Sequence, residues 1–534
     1  MLSYIFKIDF SIYCLILINK IKSKDAMKNI LNISLLIFIV SCGSENDEIA
    51  LNQSFSDPPS LNSFSFLSSI NPNLERNVTL NFENRLNGQT FTGVIDANIN
   101  ISELIPTFSF TGSHVSVNGM LQRSGISTNN FNNIITYTVS NDDGIKKNYI
   151  IDITKFTGLP IINITTDNSE PIISKEVYLK GSVDLDGWRY FEDLENLSMK
   201  IRGRGNSTWM HPKKPFQMKL SDKSSFLGMP SDKKWLFLAE YSDKTMLRNT
   251  IAFELGHISN LEWTPASQFA EVFINSEYNG TYNITQKVEE SDNRVALGDD
   301  GYLLELDQWH RLDFDDIYFE STITDKFIIN IKEPSITENS DQYNYIKNLI
   351  SDFEKALFSD EFKDQKIGYK KYIDIESFID WYLISEITKN VDSQWYSSIY
   401  LNVIPGEKIK MGPLWDFDLS FGNTDYADTR YYFGWWVKYN PWYDRLFQDP
   451  SFLQMVKNRF NYFNNNKDYI IQKIDMHADK LILAQEKNDE KWGTIGRYVW
   501  PNPVVYDSYD EEVEHLKNWY LERMKWLDEA FKEL

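Results

Sequence analysis

Residues 388–423 read TKNVDSQWYSSIYLNVIPGEKIKMGPLWDFDLSFGN, and the order of acids, apolar runs and turns in this stretch decides the fold. Asp392 sits on a loop, and the alternating run from Trp395 to Val403 predicts a strand. Pro405 and Gly406 mark a turn, Lys408–Leu414 a second short strand, and Asp416-Phe417-Asp418 a paired-acid turn. A hairpin with one acid before it and two after it brings three carboxylates to one end of a sheet. Converging carboxylates repel one another unless a cation lies between them, and oxygen ligands of this kind suit Mg²⁺ or Mn²⁺. Trp415, Phe417 and Phe421 would press these acids against apolar surface.

Composition limits what surrounds this stretch. A chain of 534 residues is long enough for two or three domains with sizeable cores. The net charge of −22 argues against a nucleic-acid partner, which needs basic surface. Aromatic residues make up 15%, which favours packed bodies or stacking surfaces over disorder. Cys14 and Cys42 are the two cysteines, both near the N-terminus, so no disulfide partner and no Cys-based zinc site is expected. Six histidines leave little for a His-rich metal centre.

From Met27 the chain reads MKNILNISLLIFIVSCGSENDE: a lysine, an apolar run of secretory length, then Ile39-Val40-Ser41-Cys42. The run is short for a membrane span. It resembles a bacterial lipobox, which implies that residues 1–41 are an upstream extension and signal peptide, with Met27 the start. Cys42 would be lipidated, anchoring the protein to the outer membrane of a bacterial cell envelope, periplasmic or surface-exposed. Residues 42–60 would be a flexible tether.

Residues 61–157 are rich in Ser, Thr, Asn and β-branched residues, in short alternating runs such as Val78–Phe82, Phe108–Phe110, Ile134–Val139 and Tyr149–Ile153. Asn87-Gly88, Asn118-Gly119 and Asp142-Asp143-Gly144 supply turns between them. Strands at this spacing predict an all-β sandwich, and the segment resembles the Ig-like or cadherin-like domains of surface lipoproteins. It carries no catalytic constellation and reads as a spacer.

The character changes at Gly158. Residues 199–209 (MKIRGRGNSTW) and 212–220 (PKKPFQMKL) read as strand, basic Gly-rich turn, strand. Gly203 and Gly205 would let backbone approach a ligand, and Arg202, Arg204, Lys213, Lys214 and Lys219 would supply charge for phosphate. Together, IRGRGNSTW, PKKPFQMKL and WDFDLSFGN resemble the motifs of the spore-coat protein H (CotH) kinase family. The resemblance spans about 159–534 and implies an α+β atypical protein-kinase-like domain with a helical C-terminal part. It further implies ATP as phosphate donor, a Ser/Thr-type protein acceptor, Asp392 as the catalytic-loop acid, and Asp416 with Asp418 as metal ligands. Ordinary kinases show the same order of acid, hairpin and metal-binding acid beside a Phe.

Between the motifs, Asp243–Leu255 predicts a capped helix, and Phe269–Ile274 with Gly280–Lys287 a hairpin turning at Asn279-Gly280, within a small α/β lobe. By kinase analogy, Gly301–Asp307 would be a hinge. Tyr345–Phe358 and Ile373–Lys389 read as helices, and 441–534 as an amphipathic helical tail. One departure from the family pattern stands out. Where many members place a second metal-binding Asn, this chain has Ser397-Ser398, with Asn402 farther along the strand. Two functions are therefore open to this chain: an ATP-dependent envelope kinase, and a catalytically silent kinase-like fold serving as adhesin, scaffold or glycan-binding protein.

Overall fold

The computed structural model describes residues 57–323, 327–394 and 396–534. The expected signal peptide, Met27, Cys42 and most of the tether lie outside the described residues. Among the described residues no helix is long and apolar enough to cross a membrane.

The first body is all-β: β1 (Ser60–Phe66), β2 (Val78–Thr79), β3 (Asn81–Arg85), β4 (Gly88–Ile95), β5 (Thr107–Thr111), β6 (His114–Val117), β7 (Met120–Gln122), β8 (Ile135–Ser140) and β9 (Lys146–Lys155). They form a three-stranded sheet, β2-β1-β5, and a six-stranded sheet, β3-β4-β9-β8-β6-β7. The period-2 pattern sends Phe64, Phe66, Tyr137, Ile151 and Ile153 into a shared core. Phe64 meets Tyr137 edge to face at 5.0 Å, one of several aromatic pairs each contributing about 1 kcal/mol beyond area burial.

This body is fastened to the chain beyond Gly158 by specific contacts. Arg189 donates to the Asp152 carboxylate at 2.9 Å and to the carbonyls of Ile153 and Asn132 at 2.8 and 2.9 Å. Trp188 packs on the sandwich core, and Thr157 donates to the buried Glu271 at 2.6 Å.

Beyond Gly158 comes a closed barrel where a small α/β lobe was expected. Its strands are β10 (Ile161–Thr166), β11 (Leu179–Asp186), β12 (Leu194–Gly203), β13 (Phe216–Phe226), β14 (Met229–Leu238), β15 (Ser267–Ile274) and β16 (Glu277–Gln286), in the order β10-β11-β12-β13-β14-β16-β15. Parallel pairing of β10 with β15 closes it. Met199, Ile201, Met218, Trp235 and Tyr282 fill the inside. The hairpin turns at Asn275 and Ser276, both left-handed at φ 51° and 70°, rather than at Asn279-Gly280. Gly280 lies within β16 for another reason: a Cβ there would stand 2.7 Å from Asn488 Oδ1 and Trp492 Nε1 of the tail. Inserted before β15 is α1 (Arg248–His257), shorter than the Asp243–Leu255 prediction; Asp243 accepts from its first N–H at 2.8 Å.

A second sheet comes next, from β17 (Tyr302–Asp307), β18 (Ile317–Glu320), β19 (Ile328–Glu333), β20 (Ile399–Val403) and β21 (Lys410–Met411), ordered β18-β19-β17-β20-β21. The expected hinge, 301–307, is therefore its central strand, and its apolar run reflects burial on both faces. The remaining helices are α2 (Asp341–Phe358), α3 (Ile375–Thr388), α4 (Pro441–Leu446), α5 (Pro450–Asn465), α6 (Lys467–Trp492) and α7 (Tyr509–Glu533); α3 packs on β21, α5 and α7 on α3, α4 on α2, and α6 on β16 of the barrel. Ser340 caps α2 and Asp374 caps α3 through their side chains. The tail's stripe of Leu516, Trp519, Tyr520, Met524, Leu527 and Phe531 is buried in the same core as α3 and the sheet.

Candidate functional site

Helix α3 ends in a left-handed residue, Lys389 (φ 49°), after which a single turn, Asp392–Gln394, leads the chain towards β20. The β20–β21 hairpin returns it as 416–418. Asp392, Asp416 and Asp418 thus line one cavity of about 200 Å³ between the barrel and the second sheet, together with Arg204, Glu240, Asn249, Glu305 and Arg311. Asp416 itself is left-handed at φ 65°, a conformation costing about 1–2 kcal/mol for a residue with a Cβ. Its surroundings hold it there. Asn390 Nδ2 donates to the Asp416 carbonyl at 3.1 Å, Ser398 Oγ to its carboxylate at 3.3 Å, and the Phe417 N–H to Asn249 Oδ1 at 2.7 Å. Asn249 in turn donates to the Glu240 carboxylate at 3.1 Å. The Asp418 carbonyl accepts from Asn423 at 2.9 Å.

The electrostatics are one-sided. Burial, and then the neighbouring charges of Asp416, Glu240 and Asp392, push the Asp418 carboxyl well above the carboxylate range. Burial and then Asp416 raise Asp392 to about 7. Burial and then Asp243 raise Glu240 to about 8, and burial raises Glu305 to about 7. Against these acids the cavity offers two arginines. Arg204 lies over the Trp415 ring at 5.5 Å and forms no ion pair among the described residues. Arg311 is engaged with Asp307 at 3.2 Å. The pocket thus gathers five carboxyl groups against two arginines, and burial with mutual repulsion holds four of them towards the protonated form.

Of the five basic residues read as one phosphate-binding group, Arg204 alone lines this cavity. Arg202 lies over the Tyr178 ring, as Lys200 does. Lys219 pairs with Lys200 and Lys234 across the strands, opposite in parity to Met218 and Leu220 of the barrel core. Lys213 is fully buried, donating to the Thr281 carbonyl and, at 2.8 Å, to Asn488; burial lowers it to about 7. Lys214 donates to the Trp209 carbonyl at 2.7 Å. Gly203 makes room for protein rather than ligand, since a Cβ there would stand 2.2 Å from the Trp209 ring. Asn402 donates to the Gly412 carbonyl at 3.1 Å and lines a different cavity of about 420 Å³. Glu240, Asn249, Glu305 and Arg311 were not foreseen as site residues. The acids closing the 301–307 run were the one available signal.

Among the described residues no group of three or more His, Cys, Asp or Glu is spaced to hold a metal ion. A Mg²⁺ site needs less, because one or two carboxylates suffice when phosphate oxygens and water complete the octahedron. Asp416 and Asp418 are oxygen donors lining one pocket, and the like-charge repulsion that pushes Asp418 up is what a divalent ion there would relieve, so they fit that requirement. A wider groove of about 790 Å³ adjoins the cavity and shares Asn206, Ser207, Arg311, Asp392 and Leu419 with it. Asp392 therefore stands at the junction of an enclosed acidic pocket and an open groove lined by Tyr396, Tyr426, Trp436 and Trp500.

Among solved structures, the chain is similar to one from Bacteroides thetaiotaomicron named "putative glycoside hydrolase", at 13% identity over 57% of this chain and 89% of that one. The TM-score is 0.14, and the likeness says nothing about chemistry. No curated protein matches. The family model described as CotH kinase protein matches residues 201–527, from the IRGRGNSTW motif through the acid-bearing hairpin into α7. The chain belongs to the CotH kinase protein family.

Proposed function

We propose that this protein is an atypical kinase that transfers the γ-phosphate of ATP to a protein hydroxyl of the Ser/Thr type. The observation that carries the reading is the cavity in which Asp392, Asp416, Asp418 and Arg204 meet, with carboxyls that burial and like charge push up and that a cation would bring back down. A divalent ion, Mg²⁺ or Mn²⁺, held by Asp416 and Asp418 would neutralise phosphate oxygens. Arg204 would add a donor fork to the same phosphates. Asp392, at the junction with the open groove, would orient the acceptor hydroxyl and take its proton; a carboxyl raised to about 7 is matched to that task near neutral pH. Calorimetry with ATP, with and without Mg²⁺ or Mn²⁺, tests the reading: metal-dependent binding that disappears in Asp416→Ala is expected, and its absence in the folded native chain would overturn it.

A catalytically silent scaffold or glycan-binding role is the second reading, favoured by one feature. Ser398, where a metal-binding Asn would be expected, spends its hydroxyl on Asp416 at 3.3 Å. In either case Cys42 would carry the lipid that anchors the protein in the bacterial cell envelope, at the outer membrane, with the Ig-like sandwich between anchor and kinase domain. Cys42→Ala should leave the protein unlabelled by fatty acid and free of the membrane fraction.

A further inference from the structure

Residues 424–440, directly after the Asp416–Asp418 turn and its glycine, form a strap along the open groove, to which they contribute Tyr426, Ala427 and Trp436. Trp435 packs on Trp526 and Phe531 at 5.2 and 4.9 Å and Val437 is buried, but ring burial does not account for the middle of the strap: Tyr431, Tyr432 and Phe433 are 38%, 39% and 50% exposed. Its backbone is held from inside instead. Lys389 donates to the carbonyls of Asp428, Tyr431 and Phe433 at 2.9, 2.9 and 2.6 Å, which uses all three ammonium protons. Arg523 of α7 donates to the carbonyls of Tyr432 and Gly434, both at 2.8 Å. The Glu386 carboxylate accepts from the N–H groups of Trp436 and Lys438, both at 2.8 Å, and from Arg523 at 2.6 Å.

The strap in turn grips the Asp392 turn on both sides. The Trp436 indole donates to the Val391 carbonyl at 3.2 Å, Gln394 donates to the Trp436 carbonyl at 3.1 Å, and Asn440 to the Gln394 carbonyl at 2.5 Å. In many kinases the segment after the metal-binding acid is ordered by an added phosphate that pairs with arginine. Here Lys389 is taken up by three backbone carbonyls and Arg523 by carbonyls and the Glu386 carboxylate, so these two cations hold the strap without an added phosphate.

We propose that Lys389 and Arg523 are positioning residues: through the strap they hold Asp392 in place for phosphate transfer, with no modification of the strap required. The proposal rests on the phosphoryl-transfer reading. Lys389→Met in the full chain deletes three donors while keeping the stem. The expected result is strap amides exchanging at least tenfold faster without ligand, α5 and α6 amides unchanged, and ATP affinity within twofold. The turnover number should fall about 10–100-fold with the KM for ATP unchanged, a split that a loss of global stability would not produce. Strap exchange that stays at the native rate, or a loosened strap with native turnover, overturns the proposal. Should Lys389→Met not fold, Gln394→Ala combined with Trp436→Phe removes two of the three strap-to-turn hydrogen bonds, and native turnover in that variant overturns it equally. A native protein that neither binds ATP nor transfers phosphate sinks the kinase reading itself, whereas native transfer indifferent to these substitutions sinks only the clamp.

Discussion

The helical base and the acidic cavity bury charge in opposite ways. In the base, Arg523 and Glu386 are both 0% exposed, and between them they meet each other, three carbonyls and two backbone N–H groups. Arg459 of α5 and Asp380 of α3 form a bidentate pair at 2.6 and 2.8 Å. In the cavity, Asp392, Asp418, Glu240 and Glu305 are held up the pH scale by burial first and then by like charge. Desolvating a charge costs several kcal/mol unless a partner offsets it. The base offsets it internally, so its charges serve the fold. In the cavity the offset is protonation, which burial and like charge extend to higher pH; on the proposed reading a bound cation would take the place of those protons.

The largest expected effect tests the division of labour inside the cavity. Asp392→Ala should leave nucleotide affinity within a few-fold yet lower transfer by about 10²–10⁴, the usual loss for a positioned proton acceptor. Asp416→Ala should instead abolish metal-dependent binding, seen by calorimetry. If both variants melt like the native chain and bind and transfer unchanged, the cavity is not a kinase site.

Next comes the base. Glu386→Gln removes the charge that Arg523 faces in the dry interior and should destabilise by about 3–5 kcal/mol in chemical denaturation. The corresponding change in the cavity, Asp418→Asn, should raise stability in metal-free buffer by about 1 kcal/mol, because it deletes a repelled carboxylate. The comparison breaks if the two substitutions destabilise alike.

How much of this was open to sequence reading depends on the distance over which each feature is decided. Asp392, the hairpin and the 416–418 turn are set within a few tens of residues, and strand alternation with turn chemistry places them. Alternation also explains why Lys219 leaves the site, for it falls out of phase with the core-facing Met218 and Leu220 of β13. Arg204 escapes that rule because β12 ends at Gly203. Lys213 could not be placed from its neighbours, since Asn488, 275 residues away, claims its ammonium. Glu240, Asn249 and Arg311 reach the cavity from the end of β14, from α1 and from the turn after β17, and no local pattern connects them.

The smallest effect concerns the sign of the pH response, where base and cavity should again oppose each other. His515 of α7 is lowered to about 4 by burial and then by Arg248, and it contacts the Tyr506 hydroxyl at 3.2 Å. Between its ordinary value near 6.5 and about 4 the unfolded chain takes up a proton that the folded chain refuses. Its stabilising contribution is therefore full above about 6.5 and is lost as pH falls through about 4. Asp392 does the reverse: with its carboxyl raised to about 7, the folded chain holds the proton that the unfolded chain releases near 3.8, so stability is lost as pH rises through about 7. In metal-free denaturation profiles between pH 4.5 and 6.5, His515→Asn should remove a rising component of about 1 kcal/mol, reduced from the full shift because the ring is partly open to water. Asp392→Asn should remove a falling one. A His515→Asn profile that keeps the native slope would mean that the base tolerates a proton beside Arg248, and that its charges are not balanced as closely as its geometry requires.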